Sequence, residues 1–133
     1  MLVQDVMSVP VVYVEPDDML GTVSDIFEKT SFRHLPVVEN EKIMGILSDR
    51  DLLRALSPAL GTLSETERDL ATLKKRVHHI MSRDPVYLYP QATLQEAIKT
   101  FNQNHFSCIP IVDKKLRPVG MLSWRDIFQH YAL

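Results

Sequence analysis

The pattern of apolar and polar positions predicts short strands that alternate with amphipathic helices. A run rich in Val and Tyr, Val11 to Val14, is followed by Pro16, as a strand is when it meets a turn. Apolar residues then recur at helical spacing from Leu20 to Phe27, and Asp17 or Asp18 is placed to cap that helix. The chain therefore begins with a strand and a helix.

Two further apolar runs follow, Leu35 to Val38 and Ile43 to Leu47, and the polar residues 39–42 separate them. This arrangement predicts a pair of strands joined as in a hairpin. Leucines at helical spacing from Leu52 to Leu56 then predict a last helix. The complete unit is β-α-β-β-α.

The second half of the chain repeats this unit. A constant shift aligns Met7 with Met81 and Pro36 with Pro110, and after one extra residue the segment 45–51 matches 120–126. The second copy has its own first strand from Val86 and a helix that the capping box Thr93 to Glu96 begins. A repeat of this length indicates two subdomains rather than a solenoid.

The duplication predicts the domain organisation and the fold class. Repeat 1 spans residues 1–57, a linker spans 58–76, and repeat 2 spans 77–133. In the linker, Ser64 to Glu67 reads as a capping box that opens a helix. Each three-stranded sheet has helices on one face, so its other face is apolar and bare. We therefore predict an α/β (α+β) fold in which the repeats pack through their sheets about a pseudo-twofold axis.

Composition and charge exclude several classes of protein. Fifteen Lys and Arg against seventeen Asp and Glu leave a net charge of −2, so we expect no overall positive field that would hold the protein on nucleic acid or on an acidic membrane. Cys108 is the single cysteine, so no internal disulfide forms. No secretory-type segment follows Met1 and no uncharged stretch is long enough to span a bilayer, so we expect a cytoplasmic protein.

A repeated Ser-x-Arg-Asp segment, at 48–51 and 123–126, carries the candidate chemistry. It lies where the third strand gives way to the last helix, and backbone N–H groups at a helix start attract anions. An ionised aspartate offers two acceptor oxygens, which suits the two hydroxyl donors of a ribose diol. The alternative is a plain helix cap, since Ser-x-x-Asp is close to a capping box. The recurring Arg50 and Arg125 favour a phosphate ligand, although common ancestry also explains them.

Other candidates for chemistry are weaker. Cys108 and His105 are close in sequence, but Cys108 lies in an apolar run, where free cysteine is usually a small buried hydrophobe. His78 and His79 have no further ligands at metal-binding spacing. Trp124 is equally suited to stacking on a base and to a dimer contact. We therefore expect no catalysis, no metal and no tightly bound cofactor.

The repeated motifs resemble those of a known family. They are Asp-Val-Met-Ser and His-Ile-Met-Ser at the start, Phe-Arg-His-Leu-Pro-Val-Val and Phe-Ser-Cys-Ile-Pro-Ile-Val in the middle, and Gly-Ile-Leu-Ser-Asp-Arg-Asp and Gly-Met-Leu-Ser-Trp-Arg-Asp at the end. In this order, twice, they resemble a stand-alone tandem pair of CBS domains (cystathionine β-synthase domains), also called a Bateman module. The resemblance covers most of the chain.

The resemblance implies a regulatory module that binds AMP, ADP, ATP or S-adenosylmethionine in the clefts between its repeats, and that pairs into a flat homodimer. The residues implied to hold the ribose are Ser48, Asp51, Ser123 and Asp126. Those implied to line the adenine or phosphate region are Phe32, Arg33, His34, Leu35 and Pro36 in the first copy, Phe106, Ser107, Cys108, Ile109 and Pro110 in the second, and Val11, Val12, Pro85 and Val86 on the first strands.

The two implied sites differ in charge. Arg33 and His34 are available to neutralise phosphate in the first copy, where the second has Ser107 and Cys108, so the first is the better candidate for a nucleotide. The middle motif of the family usually opens with glycine, whereas this chain has Ser31 and His105. Two functions stay open: a ligand sensor read by an unknown protein partner, and a ligand-free dimerisation or interaction domain.

Overall fold

The computed structural model describes residues 1–131, so the last two residues of predicted repeat 2 lie outside the described residues. It has the mixed α/β composition that the sequence predicts. The helices are α1 (Leu20–Lys29), α2 (Asp49–Ala55), α3 (Glu67–Ala71), α4 (Leu94–Gln103) and α5 (Trp124–Tyr131). The strands are β1 (His34–Glu39), β2 (Lys42–Ser48), β3 (Ser82–Arg83), β4 (Cys108–Val112) and β5 (Pro118–Ser123).

The chain forms two compact units, and their boundaries differ from those of the sequence repeats. The first unit consists of Tyr13–Glu39 and Met44–Arg83. The second consists of Met1–Val12, Asn40–Ile43 and Asp84–Leu133. Each unit therefore includes the opening segment of the other sequence repeat.

The first unit contains the sheet β1-β2-β3 and the helices α1, α2 and α3. Val77, from the start of repeat 2, is fully buried here, and its N–H donates to the carbonyl oxygen of Asp18 (2.9 Å). Ser82 then pairs antiparallel with Ile46 and makes β3, a short strand that the sequence pattern does not predict. Burial of Val77 and a few backbone hydrogen bonds thus attach residues 77–83 to this unit.

The second unit contains the hairpin β4-β5 and the helices α4 and α5. Val3 is fully buried in its core, and the Val3 N–H donates to the carbonyl oxygen of Ala92 (2.8 Å). Ser8 pairs antiparallel with Met121. The first residues of the chain are therefore part of the second unit and not an exposed tail.

The first strand of each predicted unit is reduced to a single parallel bridge, Val14 with Val37 and Leu88 with Ile111. Val14 donates to the carbonyl oxygen of Pro36 (3.0 Å) and accepts from the N–H of Val38 (2.8 Å). Prolines close by in the sequence supply no N–H to extend a ladder, so the pairing stays local.

The capping predictions had mixed outcomes. The box at Thr93 and Glu96 is confirmed. The predicted cap of α1 is wrong, because Met19 is the N-cap and the Asp18 carboxylate accepts the N–H of Glu15 instead (2.8 Å).

The linker helix begins later than predicted. Its N-cap is Thr66, whose hydroxyl accepts the N–H of Asp69, and not Ser64. The hydroxyl of Ser57 donates to the Asp69 carboxylate (2.6 Å). This contact from a distant part of the chain favours the later start, and sequence spacing alone does not show it.

Candidate functional site

The Ser48 to Asp51 segment forms a capping box at the start of α2. The Asp51 N–H donates to the Ser48 hydroxyl oxygen (3.1 Å), and the Ser48 N–H donates to Oδ2 of Asp51 (2.9 Å). Within residues 1–131, Oδ1 of Asp51 accepts no hydrogen bond from the protein. The cap therefore orients the carboxylate while one of its oxygens stays available to a ligand.

The middle motif of the first unit lies beside this carboxylate. The N–H of Asp49, in the first turn of α2, donates to the carbonyl oxygen of Arg33 (2.9 Å), just before β1. The Arg33 guanidinium also contacts the Asp49 carboxylate (3.3 Å), yet 77% of its side chain is exposed. Arg50 is exposed as well. The two motifs thus meet at the end of β2, with cationic groups facing solvent nearby.

Burial works against the positive charge that we expected at His34. Burial lowers the pKa of His34, and the nearby carboxylates of Asp49 and Asp51 oppose this only in part. The ordinary histidine pKa already lies near 6.5, so the imidazole is neutral at pH 7. A role for His34 in neutralising phosphate stays a prediction, and Arg33 and Arg50 are the exposed cations here.

The second unit repeats the capping arrangement at the start of α5. The Ser123 N–H donates to Oδ2 of Asp126 (2.9 Å), and the Asp126 N–H donates to the Ser123 hydroxyl oxygen (3.2 Å). The N–H of Trp124 donates to the carbonyl oxygen of Ser107 (3.4 Å), which brings the middle and last motifs together as in the first unit. Arg125 is exposed.

The second carboxylate differs from the first in one contact. The hydroxyl of Ser8 donates to Oδ1 of Asp126 at 2.7 Å. Both oxygens of this carboxylate therefore have protein partners, whereas Oδ1 of Asp51 has none within the described residues. The repeated Met-Ser motif is visible in the sequence, but its spacing gives no role to the serine hydroxyl, so this contact was missed.

Five of the residues predicted to line the adenine or phosphate region are buried. In β1 and β4 they pack into the cores of their units, and they are Leu35, Pro36, Cys108, Ile109 and Pro110. Burial also raises the pKa of the Cys108 thiol to about 12, so it is not ionised near neutral pH. A ligand role for these five residues stays a prediction, and it would involve their backbone groups.

The remaining predicted residues are partly or fully exposed, but the structure does not place them all in one unit. Phe32 lies in the first unit with Arg33. Those in the second unit are Val11, Val12, Pro85, Val86, Phe106 and Ser107.

The indole of Trp124 packs within its own unit, which limits both roles that the sequence left open for it, stacking on a base and a dimer contact. Its ring packs against Phe101, with 4.7 Å between ring centroids, and stacks with Phe128 at 5.7 Å. This aromatic contact attaches α5 to the core of the second unit. A base or a partner chain would meet only the part of the indole that these rings leave exposed.

Two kinds of feature are absent from the part of the chain that the structure describes. Residues 1–131 contain no group of three or more His, Cys, Asp or Glu side chains positioned to hold a metal ion. None of the helices within these residues has the length and apolar character required to cross a bilayer.

Sequence comparison finds the same family twice along the chain. The model of the CBS domain matches residues 3–58 and again 77–133. A CBS domain-containing protein of Dictyostelium discoideum is 32% identical over 128 residues, which cover 95% of this chain and 88% of that protein. Inosine-5′-monophosphate dehydrogenase of Methanocaldococcus jannaschii is 30% identical over 120 residues, or 90% of this chain, but the chain spans only 21% of the enzyme.

Solved structures of similar size share the fold. The CBS domain from a membrane protein of Sphaerobacter thermophilus matches with a TM-score of 0.84 at 25% identity, covering 97% of this chain and 86% of that one. The CBS domain pair of protein MJ0100, in complex with 5′-methylthioadenosine and S-adenosyl-L-methionine, matches with 0.80 at 24% identity over 98% and 95%. CBSX2 in complex with AMP matches with 0.78 at 20% identity over the same shares.

The repeated motifs, the two capped strand-to-helix junctions and the family match over both halves agree. This chain belongs to the CBS domain family and carries two copies of the domain in tandem.

Proposed function

We propose that this chain is a non-catalytic regulatory module that binds an adenosine-containing ligand, namely AMP, ADP, ATP or S-adenosylmethionine. The observation that carries the proposal is the Asp51 carboxylate, which its cap orients and which keeps Oδ1 without a protein hydrogen bond within residues 1–131. Similar CBS pairs in complex with S-adenosyl-L-methionine, 5′-methylthioadenosine and AMP support it.

The ribose is the part of the ligand that this carboxylate fits. A 2′,3′-diol presents two hydroxyl donors side by side, and an ionised carboxylate is an acceptor with four lone-pair sites. Such charge-assisted hydrogen bonds are shorter and stronger than those between neutral groups. Asp51, with Ser48 beside it, is therefore the proposed ribose site of the first unit, and Asp126 with Ser123 is its counterpart.

The exposed arginines favour a phosphate-bearing ligand in the first unit. Arg50 immediately precedes Asp51, Arg33 contacts the carboxylate of Asp49, and both arginines are exposed. A guanidinium binds phosphate oxygens in a bidentate way. Ser107 replaces Arg33 in the second unit, which has only Arg125 in this region. We therefore propose AMP, ADP or ATP for the first site, and a less charged adenosyl ligand remains compatible with the second.

Thermal unfolding with a panel of ligands tests this function. AMP, ADP, ATP, S-adenosylmethionine and, as a compound outside the proposal, NAD are each added to the wild type. A ligand at 100 times its Kd adds about 2.7 kcal/mol to stability, so at least one adenosine compound is expected to raise the melting temperature clearly. If none does so, the ligand-binding function is refuted.

A variant of Asp51, compared with a control variant of Asp69, tests whether the ligand-induced shift depends on the proposed ribose site. Asp51→Asn keeps an acceptor for the cap but replaces one carboxylate oxygen by an amide donor, which cannot accept from the diol. Asp69→Asn is the matched control, because Asp69 occupies the same position in the capping box of α3 and is not a proposed ligand residue. We expect Asp51→Asn to reduce the ligand-induced shift and Asp69→Asn to preserve it. Equal shifts in both would remove Asp51 from the site.

A second candidate function is association through the helices, and one observation favours it. Apolar side chains on α2 and α5 are largely exposed, with Leu53 at 72%, Phe128 at 65% and Tyr131 at 64%. We propose that they contribute to a homodimer or to the surface that a partner protein reads. Sedimentation of the wild type and of Leu53→Glu, with ligand absent and present, tests this, and a wild type that stays monomeric at high concentration refutes the homodimer.

A further inference from the structure

The serine that touches Asp126 is held in place by its backbone. The Ser8 N–H donates to the carbonyl oxygen of Met121 (2.8 Å), and the Met121 N–H donates to the carbonyl oxygen of Ser8 (3.1 Å). Immediately before it, Met7 packs on Gly120, where an added β-carbon would lie 3.0 Å from Cγ of Met7 and closer still to its sulfur. The Ser8 hydroxyl therefore reaches Asp126 from a fixed position beside β5.

The first unit provides an internal reference for this contact. Ser82 aligns with Ser8 in the repeat, and it pairs antiparallel with Ile46, the counterpart of Met121. In residues 1–131, however, the Ser82 hydroxyl makes no hydrogen bond to Asp51. The two related segments therefore have the same strand pairing but differ in their serine hydroxyls. That of Ser8 donates to Oδ1 of Asp126, and within the described residues that of Ser82 leaves Oδ1 of Asp51 without a hydrogen bond.

We propose that Ser8 is an internal competitor for the ribose hydroxyls at Asp126, and that it makes the two ligand sites unequal. The proposal rests on the proposed function, since it assumes that both aspartates hold ribose. Oδ2 of Asp126 already accepts from the Ser123 N–H (2.9 Å) and lies 3.2 Å from the Ser123 hydroxyl oxygen. A diol that approaches Asp126 must therefore share Oδ1 with Ser8 or displace its hydroxyl.

The consequence is an order of binding. At Asp51 a ligand meets an oriented carboxylate with one oxygen without a protein donor, so the first unit binds first. At Asp126 a ligand that displaces the Ser8 hydroxyl loses that hydrogen bond, and one that shares Oδ1 with it divides the acceptor. A net hydrogen bond to a charged group is worth about tenfold or more in affinity, so binding at Asp126 is weaker. The module therefore responds to ligand concentration in two steps rather than one.

Isothermal titration with AMP tests the proposal on the full chain. Ser8→Ala removes the competing hydroxyl, and Ser82→Ala is the matched control at the equivalent position of the other unit. Asp51→Asn and Asp126→Asn, made in each background, assign each binding event to its site. Ser8→Thr keeps a hydroxyl and is expected to behave as the wild type.

We expect Ser8→Ala to lower the Kd of the Asp126-dependent binding event about tenfold. If the wild type shows only a single binding event, Ser8→Ala is expected to make the second one detectable. The Kd of the Asp51-dependent event is expected to stay unchanged. Ser82→Ala is expected to change neither Kd. An unchanged or weaker Asp126-dependent event in Ser8→Ala overturns the competition while leaving the proposed function intact. Absence of AMP binding to every variant, wild type included, overturns the competition for AMP, and it overturns the proposed function as well if ADP, ATP and S-adenosylmethionine also fail to bind.

Discussion

Replacing Gly45 by alanine tests the attachment of the opening segment of repeat 2 to the first unit. Gly45 lies in β2 opposite β3, and an added β-carbon would lie 2.8 Å from the carbonyl oxygen of Ser82 and 3.0 Å from the sulfur of Met81. The oxygen belongs to the backbone of a paired strand, so it cannot move aside as the end of a flexible side chain does. We expect overpacking to cost about 1–3 kcal/mol of unfolding free energy.

Gly21 provides the matched control in the same unit. It lies in α1, and a β-carbon there would be 3.5 Å from the carbonyl oxygen of Leu73, which is ordinary van der Waals contact. Alanine is a better helix former than glycine by up to about 1 kcal/mol. Gly21→Ala is therefore expected to be neutral or stabilising, although it adds the same methyl group as Gly45→Ala.

Urea unfolding followed by circular dichroism measures both variants against the wild type. In an NMR spectrum of the backbone amides, Gly45→Ala is expected to show its largest chemical-shift changes in residues 77–83 and along β2. A Gly45→Ala variant within 0.5 kcal/mol of the wild type would refute the close approach of β3 to Gly45. A Gly21→Ala variant that loses as much stability as Gly45→Ala would show that an added methyl group destabilises this unit without a close backbone contact, and would refute the reasoning from the 2.8 Å distance.

The remaining predictions concern titratable groups. Burial lowers the pKa of His34, so as the pH falls the unfolded chain takes up this proton, near pH 6.5, before the folded chain does. Acidification from pH 7 to pH 5 should therefore lower the urea midpoint, and less so in His34→Gln. The Ser57 hydroxyl lowers the pKa of Asp69, whose contribution to stability is present above the ordinary carboxyl pKa and is lost as the pH falls through the folded value. Ser57→Ala should raise that pKa in an NMR titration, and an unchanged value would refute the contact. The Cys108 thiol, with its pKa of about 12, should resist a thiol reagent at pH 8 in the folded chain and react after unfolding.

Much of the secondary structure could be predicted because it depends on local pattern. Apolar spacing placed α1 and α4, and the box at Thr93 and Glu96 placed the start of α4. Apolar runs on either side of the polar residues 39–42 and 113–115 placed both hairpins. The first strands were predicted as elements but are single bridges at Val14 and Leu88, since β-rich composition does not show whether a partner has N–H groups to pair with.

The candidate site was predictable in part for the same reason. Ser48 and Asp51, and Ser123 and Asp126, lie at strand-to-helix junctions as the pattern indicated, because a cap needs only residues three apart. The lowered pKa of His34 was not predictable, since it depends on how deeply folding buries the ring.

Local patterns in the sequence are enough to show that the chain is a duplication of a β-α-β-β-α unit and to identify the residues that cap the last helices. These features follow from interactions between residues a few positions apart. Only the tertiary structure decided that Val3 and Val77 are buried in units that the other repeat mainly builds, and that Ser8 reaches Asp126 while Ser82 does not reach Asp51. The contact between Ser8 and Asp126, for example, joins residues more than a hundred positions apart. Hydrophobic burial and strand pairing select such contacts, and local propensity does not.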